Sequence, residues 1–343
     1  MDWSPAGALR AATAAVLDLP VPATRRVVVR RGVGVPTRDG VLLRADLYRS
    51  DPGPAPTVLV RTPYPRGGPL RLVCGAIAAR GLNVLVGSCR GTADSGGRFE
   101  PMVDEAADGA DTLRWLADQP WHDGHVCTFG PSYAGFTQWA LAAEAGAQLS
   151  AMVTMVTASE FGASTYAGGA FSLDAVLTWA ALLAAQRASG PIERLANEIE
   201  LRRGQPRLHR GLAHLPLAEA DRVATGAEIS FFQDWLRESD PDSRYWRQRG
   251  HARRLAAVRA PVFMVAGWYD IFLPWQLDDH AALVAAGARP RLTIGPWTHG
   301  SVDMYRATLG SALTWMLAHS NGGPVAGQLD GPPVRIHVGG VDE

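Results

Sequence analysis

The stretch Val126–Leu141, VCTFGPSYAGFTQWAL, decides how the rest of this sequence is interpreted. It opens with a short apolar run, Val126–Phe129, which is typical of a buried strand. A turn of small residues follows, with Ser132 at its apex, and then a helical run that contains Trp139 and Leu141. This order of strand, tight turn and helix, with serine at the turn, is the pattern of a nucleophile elbow.

A serine hydroxyl is a weak nucleophile, so its oxygen has to stand clear of the strand, where a histidine can take its proton. Small neighbours leave room for that turn. The usual motif has glycine two places after the serine, and this sequence has Ala134 there, so the match is near and incomplete. The same letters also fit an ordinary strand-to-helix turn that contains a serine, because short motifs produce false matches.

Around this stretch, short apolar runs closed by turn residues alternate with helical patterns. The nearly continuous apolar character of the runs is typical of strands buried on both faces. Alternating strands and helices predict an α/β fold with a mostly parallel, doubly wound sheet. An antiparallel hairpin precedes it, because Asp39-Gly40 is a strong turn signal between two strand-like runs. The predicted strands are 57–61, 83–87, 126–129, 151–156, 261–266 and 291–294, and the predicted helices are 70–80, 105–118, 137–145 and 277–286.

Residues 159–251 break this alternation. They contain no clear strand, and helices are predicted over 173–187, 191–203 and 228–237. An insertion of this size into a doubly wound sheet lies over the carboxyl ends of the strands, where ligands bind. We therefore predict a helical cap. Its aromatic residues either line a pocket or form the core of the helical layer, and the core is the commoner role: Phe161, Tyr166, Phe171, Trp179, Phe231, Phe232 and Trp235.

The two ends of the sequence differ from the middle. Residues 4–17 predict a short helix within an N-terminal extension, residues 1–24. Near the other end, residues 334–338 predict one strand with no later strand to pair with. A lone edge strand is a liability, so residues 326–343 are expected to be the start of a truncated C-terminal β domain.

A serine nucleophile needs a histidine base and an orienting carboxylate, which follow it in the chain order serine, acid, histidine. Asp270 comes directly after the predicted strand 261–266, and His299 comes after 291–294. We therefore predict a triad of Ser132, Asp270 and His299. The alternative acids, Asp278 and Asp279, lie within a predicted helix and are expected to be solvated surface charges.

Composition excludes several classes of function. The 33 arginine residues balance 33 acidic residues, whereas partners such as nucleic acid or an anionic membrane call for a basic excess. The absence of lysine excludes Schiff-base chemistry. Three cysteines are too few for a disulfide framework or a zinc site, and His122 with His125 makes a weak metal pair. No metal or cofactor is implied, and the sequence leaves a homo-oligomer open.

No apolar run reaches the length of a membrane span. The N-terminal apolar segment carries Asp2 and Asp18, unlike a signal peptide. A cytoplasmic location is therefore expected.

Seven blocks of sequence, in one order, resemble the cocaine esterase/Xaa-Pro dipeptidyl-peptidase family of serine hydrolases, and its cocaine esterase branch above the others. Together they are far more specific than any single motif. The blocks are RTPY (61–64), RGTADSGGRFEP (90–101), EAADGADTLRWLADQPWHDGHV (105–126), GPSYAGFTQW (130–139), GGAFSLDAVLTWAAL (168–182), AGWYDIF (266–272) and IGPWTHG (294–300).

The resemblance implies an α/β-hydrolase core over residues 25–158 and 252–325, interrupted by the cap, residues 159–251. It implies a jelly-roll-like C-terminal domain, of which this sequence has only the opening strand. It also implies an oxyanion hole formed by the Tyr64 hydroxyl and the Tyr133 backbone N–H. Trp179 and Phe272 would line the acyl pocket.

This sequence departs from the family at Thr165, where cocaine esterase places an aromatic residue, so the acyl preference does not transfer directly. Family members that act on α-amino esters carry acidic residues in this part of the cap. Residues 161–173 contain none, although Glu160 and Asp174 flank them.

We predict a serine hydrolase that cleaves carboxylic esters, with amides as a further class, of apolar or aromatic acyl groups through an acyl-enzyme. The substrate would be a small molecule. The alternative is an Xaa-Pro dipeptidyl-peptidase or acylase, and a peptidase of this kind would need carboxylates to hold a free amino terminus. A non-catalytic scaffold is less favoured, because the triad is complete.

Overall fold

The computed structural model describes residues 19, 22–24, 26–49, 53–187, 199, 203–321 and 331–340. The helix predicted over residues 4–17 and most of the one predicted over 191–203 lie outside these residues.

Nine strands form one sheet across the described residues, in the order β1-β2-β4-β3-β5-β6-β7-β8-β9. The hairpin β1/β2 and the pair β2/β4 are antiparallel, and every other neighbouring pair is parallel. The predicted hairpin and the mostly parallel sheet are both confirmed. The strands are β1 (Val28–Pro36), β2 (Leu42–Arg49), β3 (Ala55–Thr62), β4 (Asn83–Ser88), β5 (His122–Pro131), β6 (Leu149–Met155), β7 (Val262–Tyr269), β8 (Arg291–Thr298) and β9 (Val334–Ile336).

The described α-helices connect these strands or lie between β6 and β7. They are α1 (Gly68–Ala78), α2 (Glu105–Ala117), α3 (Tyr133–Ala145), α4 (Gly162–Thr165), α5 (Leu173–Gln186), α6 (Pro206–Leu212), α7 (Ala220–Thr225), α8 (Ser230–Arg237), α9 (Arg244–Arg249), α10 (Leu273–Ala285) and α11 (Val302–Asn321). The 20-residue helix α11 was not predicted.

Successive residues of each central strand enter opposite hydrophobic cores, because side chains alternate between the two faces of a sheet. On β3, Val58 belongs to the core that includes α1 and α11, whereas Leu59 belongs to the core that includes α2, α3 and α10. Both faces are therefore covered by helices, which explains why the runs in these strands are nearly continuously apolar and do not alternate with polar residues. Cys127 is fully buried in the first core.

The described chain falls into two compact units. The first comprises Met1–Arg98, Asp104–Ser159 and His251–Glu343 and contains the sheet; the second comprises Phe99–Val103 and Glu160–Gly250. Within the second unit the aromatic side chains pack on one another: Trp179 stacks on Trp235, with ring centroids 5.7 Å apart. The Tyr166 hydroxyl donates to the Trp235 carbonyl oxygen at 2.8 Å. The predicted cap, residues 159–251, differs from this unit by one residue at each end and by the added segment 99–103.

The last described strand, β9, pairs in parallel with β8, so it forms an edge of the main sheet. It was predicted as the opening strand of a separate β domain. The assignment of residues 326–343 to such a domain stays a prediction.

The prediction that Asp279 is a solvated surface charge is wrong. Asp279 is buried, and its carboxyl oxygens accept hydrogen bonds from the Ser159 backbone N–H at 2.7 Å and from the Ser159 hydroxyl at 2.6 Å. Its neighbour Asp278 is exposed, as predicted. Adjacent helical positions point about 100° apart, so one acid can face the core while the next faces water.

Candidate active site

Ser132 lies between β5 and α3 in a strained backbone conformation, with φ 54° and ψ −126°. A non-glycine residue with positive φ and this ψ costs on the order of 1–3 kcal/mol. Hydrogen bonds hold it there: the Ser132 N–H donates to the Met155 carbonyl oxygen at 2.9 Å, and the Thr157 hydroxyl donates to the Ser132 carbonyl oxygen at 2.7 Å. The serine therefore stands at the carboxyl end of β5, as a nucleophile elbow requires.

The small residues around Ser132 are required by close approaches. A Cβ atom on Gly130 would lie 2.6 Å from the Cβ of Ala134, and one on Gly135 would lie 2.3 Å from Thr157 Cγ2. The departure from the usual motif at Ala134 is thus accommodated, because the residue facing it is glycine.

His299 follows β8, and its Nε2 atom lies 2.9 Å from the Ser132 Oγ. Hydrogen bonds pin the turn that carries it, since the Thr298 N–H donates to the Ser301 Oγ at 2.9 Å and the Ser301 N–H donates to the Thr298 carbonyl oxygen at 3.2 Å. The imidazole is partly exposed. It can therefore take a proton from the serine and still face a substrate.

Asp270 follows β7, and its side chain is fully buried. One carboxyl oxygen, Oδ2, lies 2.7 Å from the His299 Nδ1, and the other, Oδ1, accepts the Phe272 N–H at 2.8 Å. A carboxylate oxygen only accepts hydrogen bonds, so Nδ1 carries the proton. The Nε2 atom of a neutral imidazole is then the acceptor for the Ser132 hydroxyl, which is the tautomer that a general base needs.

Two glycines, one near the end of β7 and one near the end of β8, leave room for Trp297. A Cβ atom on Gly267 would lie 2.3 Å from the Trp297 carbonyl oxygen, and one on Gly295 would lie 2.4 Å from the Trp297 ring. These contacts give a structural reason for the glycines in AGWYDIF and IGPWTHG, which precede Asp270 and His299.

The two predicted oxyanion residues lie at this edge of the sheet. Tyr64 follows β3, the parallel neighbour of β5, and it is half-buried. Tyr133 is the first residue of α3 and directly follows the serine. Their role as donors to an oxyanion stays a prediction.

The two predicted acyl-pocket residues lie in different units. Phe272 is buried, with its ring centroid 5.5 Å from that of His299. Trp179 lies on α5 of the second unit, packed with Phe231 and Trp235. Thr165 is buried in the same unit and donates its hydroxyl to the Phe161 carbonyl oxygen at 2.8 Å.

Sequence reasoning missed Glu105, a buried acid beside the elbow. Its carboxyl oxygen Oε1 accepts the Tyr133 hydroxyl at 2.5 Å. Burial raises its pKa to about 7, against the opposing effects of the Tyr133 hydrogen bond and the charge of Arg61. Glu105 opens the sequence block 105–126, but nothing within that block distinguishes it from the other acids, because its partner Tyr133 lies 28 positions away and reaches it only in the folded chain.

Within the part of the chain that the structure describes, no group of three or more His, Cys, Asp or Glu side chains could hold a metal ion. His122, one of the weak metal pair, instead lies 2.9 Å from the Thr57 hydroxyl through its Nδ1. Among the described helices, none has the length and apolar character needed to cross a bilayer.

Comparison with known proteins gives a family match. The family model for X-Pro dipeptidyl-peptidase (S15 family) matches residues 39–301. Cocaine esterase from Rhodococcus sp. (strain MB1 Bresler) is 33% identical over 340 residues, which cover 92% of this chain and 59% of cocaine esterase. The chain therefore spans less than two thirds of that relative.

Solved structures give the same fold. An aminopeptidase from a marine sediment archaeon, Thaumarchaeota archaeon, superposes with a TM-score of 0.70 at 21% identity, covering 94% of this chain and 60% of its own. An α-amino acid ester hydrolase superposes with a TM-score of 0.70 at 19% identity, covering 93% of this chain and 58% of its own. The predicted α/β-hydrolase fold is confirmed.

Proposed function

This chain belongs to the X-Pro dipeptidyl-peptidase (S15) family, and from that premise we propose that it is a serine hydrolase of carboxylic esters. The observation that carries the proposal is the hydrogen-bonded series Ser132, His299 and Asp270, joined at 2.9 and 2.7 Å. These distances lie within the 2.6–3.2 Å expected of a nucleophile, its base and the group that orients the base.

In the first half of the reaction, the Ser132 Oγ attacks the ester carbonyl carbon while His299 Nε2 takes the hydroxyl proton. The carbonyl π electrons move to the oxygen, which becomes an oxyanion. As the tetrahedral intermediate collapses, His299 gives its proton to the leaving alcohol and an acyl-serine remains. Asp270 keeps the imidazole in the required tautomer and stabilises the imidazolium that forms.

In the second half, water replaces the alcohol. His299 takes a proton from the water, whose oxygen attacks the acyl carbon, and the proton then passes to the Ser132 Oγ as the acid departs. The serine is regenerated and no external oxidant, reductant or cofactor is consumed. The proposed oxyanion donors are the Tyr64 hydroxyl and the Tyr133 backbone N–H; removing one such donor typically lowers kcat by about 10²–10³-fold.

For the substrate, we propose a small-molecule ester with an apolar or aromatic acyl group. The apolar ring of Phe272 beside His299 supports this class, as does the identity to cocaine esterase. The role of Trp179 in the acyl pocket is part of this proposal.

A second candidate function is cleavage of dipeptides from Xaa-Pro substrates, which the family description favours. Holding a free amino terminus calls for carboxylates, and residues 161–173 carry none. An ester is therefore the substrate class that we favour. The cytoplasmic location stays a prediction.

The test compares p-nitrophenyl benzoate with Gly-Pro p-nitroanilide as substrates of the full chain. We expect hydrolysis of the ester and none by Ser132→Ala. Activity on the anilide alone would reverse the order of the two candidates. Failure of a fluorophosphonate probe to label Ser132 in folded protein would instead favour a non-catalytic scaffold.

A further inference from the structure

A buried polar cluster lies directly behind the nucleophile elbow, and we call it the Glu105 cluster: Arg61, Glu105, Gly109 and Tyr133. It joins β3, α2 and α3. The Tyr133 hydroxyl donates to Glu105 Oε1, and Arg61 Nη1 donates to the Glu105 backbone carbonyl oxygen, both at 2.5 Å. A Cβ atom on Gly109 would lie 2.7 Å from Arg61 Nη1, so the glycine leaves room for the guanidinium.

The carboxyl group of Glu105 is costly where it lies. The residue is 3% exposed, and among the described residues no donor reaches its second oxygen, Oε2. A buried acid with an oxygen left unsatisfied is usually less stable than an apolar side chain of similar volume. The buried charge of Arg61 offsets part of this cost, but a counter-charge for Arg61 does not account for the hydrogen bond that Oε1 accepts from the Tyr133 hydroxyl. That contact gives a separate reason for a carboxyl group at this position.

The peptide group between Ser132 and Tyr133 consists of the Ser132 carbonyl and the Tyr133 N–H. On the carbonyl side, that peptide is held by the Thr157 hydroxyl at 2.7 Å and by the Gly135 N–H at 2.8 Å. On the Tyr133 side, the ring is buried against Phe136, with centroids 5.6 Å apart, and its hydroxyl ends on Glu105. The Glu105 carboxyl group thus fixes the far end of the side chain that is attached to the proposed oxyanion donor.

We propose that Glu105 is a positioning residue for the oxyanion hole, which holds the Ser132–Tyr133 peptide in the orientation that presents its N–H to the developing oxyanion. This inference rests on the proposed hydrolase chemistry of Ser132. Because preorganised donors act through their position, a misplacement of about 1 Å can cost on the order of 10²-fold in rate.

The experiment removes the Tyr133–Glu105 hydrogen bond from either side. Glu105→Leu removes the acceptor, Tyr133→Phe removes the donor, and Glu105→Gln keeps an acceptor oxygen. With p-nitrophenyl benzoate we expect kcat to fall about 10- to 100-fold in the first two variants, with KM within about 2-fold of the starting value, and to recover in Glu105→Gln. The double variant should lose no more than the larger single loss, because both changes remove one interaction.

A second readout separates positioning from general destabilisation. Phenylboronic acid forms a tetrahedral adduct on an active serine and resembles the oxyanion intermediate, so its inhibition constant should rise by the same factor as kcat falls. The matched control is Asp108→Asn, which alters another buried acid of α2 whose side chain pairs with Arg90 at 2.6 Å. It should lower the melting temperature and leave kcat and boronate inhibition unchanged.

The outcomes are distinct. A wild-type chain that neither hydrolyses the ester nor reacts with a fluorophosphonate would refute the hydrolase and this inference together. An active wild type whose folded Tyr133→Phe variant keeps kcat within about 2-fold would refute the inference alone, even if Glu105→Leu fails to fold. The inference would also be refuted if Glu105→Gln lost as much kcat as Glu105→Leu while Tyr133→Phe kept its kcat. The negative charge of Glu105 would then matter, and its hydrogen bond with Tyr133 would not.

Discussion

Replacing Asp270 by asparagine tests the tautomer logic of the triad at nearly constant shape. The Oδ1 atom of Asp270 accepts the buried Phe272 N–H, so an asparagine would turn its carbonyl oxygen to that position. Its NH₂ group would then face His299 Nδ1, where the carboxylate oxygen now lies at 2.7 Å. Two donors cannot face each other, so the imidazole would move its proton to Nε2 and could no longer accept the proton of Ser132.

The loss of kcat expected for Asp270→Asn has two contributions. Turning the amide over would restore the tautomer, but it would leave the Phe272 N–H facing a donor, at a cost of about 1–3 kcal/mol, equivalent to about 5- to 160-fold in rate. Loss of the charge that stabilises the imidazolium adds the rest. The total expected for a serine triad is about 10⁴-fold in kcat, or about 5.4 kcal/mol.

The assay is kcat for p-nitrophenyl benzoate, together with the rate of fluorophosphonate labelling at Ser132, which should fall in parallel. Asp278→Asn is the matched control, because it removes one exposed carboxyl group from the following helix, α10. A fall of less than 10-fold in folded Asp270→Asn would refute the assignment of Asp270 as the group that orients His299.

Two further predictions concern stability. Asp279→Ala removes the acceptor of two Ser159 donors, so urea titration should show the free energy of unfolding falling by about 2–4 kcal/mol. The control Asp278→Ala should lower it by less than about 0.5 kcal/mol. Equal effects of the two substitutions would contradict the burial of Asp279. Burial raises the pKa of Glu105 from 4.5 to about 7, so the folded state binds this proton more tightly than the unfolded state does. The free energy of unfolding should therefore lose about 3 kcal/mol between pH 4.5 and 7 and no more above it. Glu105→Gln should lack this loss, and an unchanged pH profile in that variant would show that Glu105 is not its source.

The central strands and the chain positions of the triad were accessible from the sequence, because both depend on local patterns. A strand buried on both faces has a nearly continuous apolar run, and in this fold functional residues follow strand ends. Asp270 and His299 therefore stood out from the other acids and histidines. Helix α11 did not stand out, since its large apolar residues are interspersed with alanine, glycine, serine and threonine and form no clear stripe.

The features that sequence reasoning missed are decided by tertiary partners. Asp279 and Asp278 are adjacent acids in one helix, and only the position of Ser159, 120 residues away from Asp279, makes one of them buried. Glu105 likewise acquires its significance from Tyr133. No periodicity in the sequence records such pairings, because each is a single contact between elements that meet only after folding.

Because Ser132 has a positive φ, thermal stability and catalytic activity favour different residues at this position. Glycine would adopt this backbone without strain, which removes a cost of about 1–3 kcal/mol from the folded state. Its greater conformational freedom in the unfolded chain would offset roughly 0.5–1 kcal/mol of that gain. A chain selected only for a high melting temperature would thus tend to exchange its serine for glycine. Only the demand for a hydroxyl group at the end of β5 would keep serine there.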